Sequence, residues 1–439
     1  MLNCLVIRCL SCGLMMLFFL NSDSPAPAAV SPHYPFPQHV VYAPGTIRPN
    51  HRPQAQQDDD ARAFYDYWKA NYLVNAGLTP EGNPRYRVAF GATPPEKDRT
   101  VSEGQGYGMI IVALMAGHDP QAQVIFDGLW EFARAYPSEI DNRLMDWDAP
   151  DNATGNSSAF DGDADMAYAL LLADKQWGSN GRINYRAATE ILITAILEST
   201  IGPASHLPLL GDWVDANGSS YNQYTPRSSD FMTAHFRAYG RATNDPTWFE
   251  VISRAQSVIT SLQANYSLTT GLLPDFIVPV SSTDHTPRPA YPGFLEGQHD
   301  GHYYYNAGRD PWRIATDALL NNDPVSRAQA SKMAVWAAGA TGGSPANIKA
   351  GYKLDGTPLP GSDYFSTFFA APLGVAAMTV PSLQTWLNAT YDAVFNTHAG
   401  YYEDSVTLLC LLVMTGNYWE PTTIELTLDE AAFLPLIGR

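Results

Sequence analysis

The chain is 439 residues long and sets 26 Lys+Arg against 44 Asp+Glu, a formal charge of −18. Such an excess of acids leaves little material for the basic face that displaces counterions from phosphates, which argues against DNA and RNA as partners. With 45% apolar and 16% charged residues the chain can bury a large core, and its 12% aromatics (24 Tyr, 18 Phe, 10 Trp) are numerous enough for some rings to line a surface.

Residues 1–28 read as an export signal: a short start with Arg8, an apolar run from Cys9 to Leu20, and a small-residue cleavage pattern at Ala26-Pro27-Ala28. The run is shorter than the ~20 residues of a membrane-spanning helix, so no membrane association is expected after cleavage. Cleavage removes Arg8 and Asp23, which leaves the charge at 25 − 43 = −18, and it removes Cys4, Cys9 and Cys12. Only Cys410 remains, inside the apolar run Leu408–Met414, and it reads as a packing residue. A lone thiol forms no internal disulfide, so a secreted, monomeric chain must hold itself together by its core.

Residues 29–58 are rich in Pro, His and Gln without a period and are expected to form an extended surface arm. The remainder, 59–439, is expected to be one domain. In it, apolar residues recur at three and four spacings over 59–75, 104–117, 121–136, 163–178, 184–199, 228–242, 246–264, 311–322, 325–339, 364–378, 382–396 and 401–416. No strand ladder separates these segments. Twelve helices in six consecutive hairpins predict an all-α fold, a closed (α/α)6 toroid; no fixed repeat supports an open solenoid.

The starts of the even-numbered helices carry acids and rings. They read Ser102-Glu103-Gly104-Gln105-Gly106-Tyr107-Gly108, Asp161-Gly162-Asp163-Ala164-Asp165, Arg227-Ser228-Ser229-Asp230, Tyr303 through Arg313, Asp363-Tyr364, and Tyr401-Tyr402-Glu403-Asp404. Any one of them is an ordinary helix cap, since Ser and Asp satisfy free amides and complement the dipole. In a toroid of antiparallel hairpins all six converge on one end of the ring, where a cleft would lie.

The glycines at 104, 106 and 108 lack the preceding strand and the spacing of a phosphate cradle. No zinc pattern appears, no serine elbow is present, and no metal or other cofactor is expected. Carboxylates with Trp and Tyr remain, the equipment for cutting a glycosidic bond: one carboxyl protonates the leaving oxygen while another activates water or attacks.

These motifs resemble glycoside hydrolase family 8. Ser102 through Met109 resembles the segment bearing that family's acid, and Ala159 through Trp177 is similar to its signature, with Phe160 where the family usually has Ser or Thr. Tyr305 through Ile314 and Tyr402 through Leu409 are similar to two further landmarks. The resemblance spans about Pro35 to Trp419 and implies an (α/α)6 toroid that hydrolyses a polysaccharide with inversion. It implies that Glu103 is the general acid and that Asp161 grips the sugar beside the scissile bond. Asp163 and Asp165 are read as caps and structural acceptors.

The base departs from the pattern, because Asn306 stands where most of the family has Asp. A subgroup that includes chitosanases and some β-glucanases shares the Asn and places a Glu on a loop upstream. Here Tyr291 through Asp300 is such a loop, which makes Glu296 the expected base and Asp300 its reserve, with Glu296 about 6.5–9.5 Å from Glu103 as an inverting pair requires. Trp147, Trp213, Arg309, Tyr402 and Asn306 match positions that bind substrate in the family's cleft. The negative charge and the Asn306–Glu296 pattern favour chitosan, a polycation at mildly acid pH, over a β-glucan such as cellulose or a mixed-linkage 1,3-1,4 polymer. From another class, Asn306 also admits an inactive sugar-binding toroid.

Overall fold

The computed structural model describes residues 31–149 and 156–422, so the expected signal at 1–28 and the last residues of the chain lie outside the described region. Among the described residues there are twelve α-helices: α1 (Gln54–Tyr72), α2 (Ser102–Leu114), α3 (Ala122–Ala135), α4 (Phe160–Trp177), α5 (Tyr185–Thr200), α6 (Thr233–Thr243), α7 (Thr247–Asn265), α8 (Asp310–Asn321), α9 (Pro324–Ala340), α10 (Thr367–Ala377), α11 (Gln384–Val394) and α12 (Tyr401–Met414). The even helices pack α2 on α4, α4 on α6, α6 on α8, α8 on α10, α10 on α12 and α12 back on α2. That closes an inner ring, and each odd helix packs on its outside, as expected for an (α/α)6 toroid.

Burial follows from composition. In α2 every residue but Glu103 is buried, and all eleven residues of α10 are buried, so inner helices are apolar around their whole circumference. Outer helices bury a stripe instead; α7 buries Trp248, Val251, Ile252, Ala255, Val258, Ile259 and Leu262, the three- and four-residue rhythm that made it legible.

The glycines in the α2 motif serve helix packing. A Cβ on Gly106 would lie 2.6 Å from the Asp165 Cβ and 2.9 Å from the Gly162 carbonyl oxygen, and one on Gly162 would lie 2.5 Å from the Ser102 carbonyl carbon. Helices α2 and α4 therefore touch backbone to backbone, which brings Glu103 and Asp161 together at their first turns.

The arm runs from residue 31 to Pro53 across the face where the inner helices end. His33 N–H donates to the Gln176 carbonyl (2.9 Å), Phe36 to Ala116 (2.6 Å), Val40 to Gly416 (2.7 Å), Ala43 to Leu319 (2.8 Å) and Ile47 to Met378 (2.9 Å). These carbonyls belong to the last turns of α4, α2, α12, α8 and α10 or the residues just after them, groups that a helix cannot satisfy internally. The arm ends earlier than expected: α1 begins at Gln54, within the stretch read as arm. Its first turn is polar on the side facing the arm, where Gln57 donates to the Pro49 and Arg52 carbonyls (both 3.0 Å), so no apolar period announced it.

Two other segments differ from expectation. The sixth helix is divided into a 3-10 turn at Ser228–Asp230 and α6 from Thr233, and α10 starts at Thr367, where Ser366 accepts from Phe368 N–H. Three short antiparallel ribbons were also unexpected: β1 (Leu73–Leu78) with β2 (Pro84–Val88), β3 (Thr100–Val101) with β4 (Asp148–Ala149), and β5 (Ile277–Pro279) with β6 (Pro287–Pro289). β3 to β6 are too short to show alternation, β1 begins inside the stretch expected as helix 59–75, and β3 directly precedes the glycine motif that was read as having no strand before it. The β3–β4 pair ties the Trp147 loop to the start of α2, and β5–β6 roots the loop that carries Glu296.

Gly162→Ala should therefore strain the α2–α4 contact. We expect a loss of about 1–3 kcal/mol, the usual cost of overpacking, read as a lower midpoint in chemical denaturation.

Candidate active site

The first turns of α2 and α4, the 3-10 turn before α6 and the segment before α8 surround a cavity of about 230 Å³ lined by Glu103, Asp161, Glu296, Asn306, Trp147 and Arg227, with Phe90, Arg99, Val101, Ser102 and Ala159 completing the wall. Glu103, Asp161 and Glu296, far apart in sequence, thus face one space.

Arg309 organises them from behind. It is fully buried, and its Nη1 donates to Glu103 Oε2, to Asp161 Oδ2 (2.9 Å) and to the Tyr107 hydroxyl (3.0 Å). Its Nη2 donates to Ser229 Oγ (2.8 Å) and Asn306 Oδ1 (3.1 Å), and its Nε to the Asn306 carbonyl (3.3 Å). Asn306 in turn donates from Nδ2 to Glu296 Oε2 at 2.8 Å. Between Glu103 and Glu296, then, stand the Arg309 guanidinium and the Asn306 amide. A second guanidinium, Arg227, lies 3.3 Å from Asp161 Oδ2, 3.6 Å from Glu296 Oε1 and 3.9 Å from Asp230 Oδ1.

The two carboxyls on α2 and α4 are driven apart in proton affinity. Burial pushes Glu103 up to about 8, opposed by Arg309 and reinforced by the Asp161 charge. Burial also acts on Asp161, but Arg227 and Arg309 outweigh it and hold that carboxyl below its ordinary range. One group keeps a proton near neutrality while its neighbour stays charged, the division of labour that acid catalysis needs.

Not every expected residue reaches the cavity. Arg309, expected to bind substrate, has no exposed surface, because its donors are spent on internal partners. Tyr402 is half-buried, donates its hydroxyl to the Tyr305 carbonyl (2.8 Å), and has the Arg309 guanidinium 5.9 Å from its ring centre. Trp213 is 37% exposed and meets Tyr221 edge-on at 5.2 Å, outside the cavity lining. Trp147 does line it, with Arg99 stacked at 5.5 Å and tied to Asp148 at 2.8 Å. The reserve base Asp300 is only 3% exposed and turned inward, where it accepts from the amides of Leu295 (2.8 Å), Glu296 (3.2 Å) and Gly297 (2.9 Å).

Asp163, Asp165 and Asp404 are structural acceptors. Asp163 accepts from Met145 N–H (2.9 Å), Asp165 is gripped by Arg313 (2.7 and 2.5 Å) and His235 (2.9 Å), and Asp404 accepts from the Tyr72 hydroxyl (2.7 Å) and Ala399 N–H (2.9 Å). Arg227, Phe90, Arg99 and Asp275 were not foreseen. Arg227 directly precedes the Ser228-Ser229-Asp230 cluster, a signal read only for its acid; Phe90 and Arg99 lie in an aperiodic stretch. Asp275 is buried and accepts from the amides of Tyr304 (3.0 Å), Asn306 (3.2 Å) and Ala307 (2.7 Å), which fixes the segment before α8. Among the described residues, no three His, Cys, Asp or Glu side chains are grouped to hold a metal, and no helix is long and apolar enough to cross a membrane.

The profile described as Glycosyl hydrolases family 8 matches residues 54–416. The chain belongs to this family. It is 43% identical over 396 residues to a beta-glucanase of Niallia circulans, covering 89% of this chain and 93% of that protein. It is 38% identical over 411 residues to an endoglucanase of Bacillus sp. strain KSM-330, covering 92% and 86%. The solved apo structure of a beta-1,3-1,4-glucanase from Paenibacillus sp. X4 superposes with a TM-score of 0.83 at 43% identity, over 89% of this chain and all of that one. A family 8 xylobiose complex from Teredinibacter turnerae shares the fold at 17% identity, with a TM-score of 0.68 over 85% of this chain and 98% of that one. As a family 8 member the protein is a glycoside hydrolase that acts with inversion of configuration.

Arg309→Met should leave Asp161 buried with only Arg227 beside it. With Arg227 still 3.3 Å away, the expected cost is at most about 3–5 kcal/mol of stability, the usual penalty for removing one partner of a buried ion pair, measured by urea unfolding at neutral pH.

Proposed function

We propose that this protein is an exported endo-acting hydrolase of β-1,4-containing glucans. Glu103 acts as general acid, Glu296 as general base and Asp161 as the carboxylate that holds the sugar at the scissile bond. The observation that carries this reading is the Asn306 amide, bonded to Glu296 on one side and to Arg309 on the other: the residue that cannot serve as a base positions one that can. Glu103 gives its proton to the leaving oxygen. Glu296 takes a proton from a water that attacks the anomeric carbon from the opposite face, which turns a β linkage into an α product. Asp161, ionised between two guanidinium groups, accepts from a sugar hydroxyl and favours the distorted ring. Trp147 offers a flat face to a sugar, and its loop is fixed by the Trp147 carbonyl accepting from Ser102 N–H at 3.0 Å.

Neutral β-glucan is the preferred substrate. Arg99 and Arg227 line the cavity, and both oppose an ammonium group near the reacting bond. Similarity to proteins named beta-glucanase and endoglucanase supports the same choice. Chitosan is the second reading, favoured by the net charge of −18, which attracts a polycation at longer range. Reducing-sugar release from barley glucan, carboxymethylcellulose and chitosan, measured side by side, decides: faster turnover of chitosan than of both glucans would reject our choice, and no turnover on any of them would leave a sugar-binding toroid.

Because Glu103 must carry its proton, kcat/KM should fall about tenfold per pH unit on the alkaline side of about 8. Glu103→Gln should lower kcat about 10²–10⁴-fold and erase that alkaline limb. A limb that persists in Glu103→Gln would assign the acid to another group.

A further inference from the structure

Glu296 is an unusual place for a base that must aim at one water. Its side chain is 50% exposed, and it sits on a loop whose neighbours Tyr291 and Leu295 are open to solvent and whose Gly293 takes a positive φ of 76°. Asn306 and Arg227 reach the carboxylate, but nothing in those contacts fixes the backbone that carries it. Buried Phe294, whose carbonyl accepts from the Tyr221 hydroxyl at 2.9 Å, anchors the approach to it, and the Glu296 backbone itself is held by Asp300. Its Oδ2 accepts from Leu295 and Glu296 N–H and its Oδ1 from Gly297 N–H, so three consecutive amides close on one buried carboxylate. Asp300 is itself anchored, since its carbonyl accepts from Phe276 N–H at 2.8 Å, the residue directly before β5. The loop tip is thereby fastened to the same ribbon root as Asp275, which holds the Asn306 backbone from the other side.

We infer that Asp300 is a positioning residue for the base, acting on the reaction only through Glu296. This rests on the reading of Glu296 as the base. A carboxylate displaced by about 1 Å costs a rate factor of about 10² without weakening ground-state binding, because the water it orients matters only in the transition state. A residue that merely supported the fold would instead lower activity whether or not Glu296 is present.

The test is a double-mutant cycle on barley glucan with Asp300→Asn, Glu296→Ala and the double variant. Asn keeps the volume of Asp and one acceptor, and near-UV circular dichroism checks folding; should the side chain not be tolerated, Asp300→Glu shifts the clamp and is read in the same cycle. Glu296→Ala should be profoundly impaired. Asp300→Asn should lose about 10²-fold in kcat with KM within about threefold, and should change the residual rate of Glu296→Ala by less than about twofold. Equal losses in both backgrounds, or full activity of Asp300→Asn beside an impaired Glu296→Ala, would overturn the inference while leaving the base assignment standing. Wild-type turnover by Glu296→Ala would instead overturn the base assignment itself.

Discussion

The active site depends on one buried cation. Charges taken out of water must be compensated where they stand, and the inner ring places Glu103 and Asp161 side by side at the first turns of two touching helices. Arg309 meets both through one nitrogen and turns its other donors to Ser229 and Asn306. A guanidinium suits this role because its donors lie in a rigid planar fork and it keeps its charge when buried. That fork, together with Arg227, holds Asp161 ionised, and it orients the Asn306 amide toward Glu296, while burial keeps the proton on Glu103 against the pull of Arg309.

The toroid separates the two ends of its helices by function. At the carboxyl ends, carbonyls lacking helical partners accept amides from the extended arm, which closes that face. At the amino ends, free amides and the positive end of each dipole favour acids, and the acids are there. Several of them brace the ring: Asp165 with Arg313 and His235, Asp404 with Tyr72. Only where two inner helices approach through glycine does an acid pair face open space.

The helical rhythm was read over all twelve segments and is plainest in the outer helices, whose apolar stripes face one way. Glu103, Asp161 and Glu296 were legible because their motifs are local and resemble a known family. Arg309 was legible as a site position, but only the folded ring puts it behind the cavity wall and not on its surface. Trp213 and Tyr402 were grouped with Trp147 as cleft residues, yet the fold sets one edge-on against Tyr221 and ties the other to the Tyr305 carbonyl. Phe90 and Arg99 were invisible, since a residue in an aperiodic segment has no pattern to mark it, whereas Arg227 stood in a marked cluster that was read only for its acid.

The sequence by itself determined the twelve helices, the acid-rich starts of the inner ones and the substitution of Asn for the expected base, because these depend on residue type and short-range spacing. Tertiary structure alone decided which acids face the cavity and which are turned into the fold. Asp300 shows why: as one acid beside another in a loop it was a fair alternative base, and only the closure of three backbone amides on its carboxylate removes it from the cavity and gives it the loop to hold. Proton affinity, exposure and orientation arise from contacts between segments distant in the chain, and no spacing within one segment encodes them.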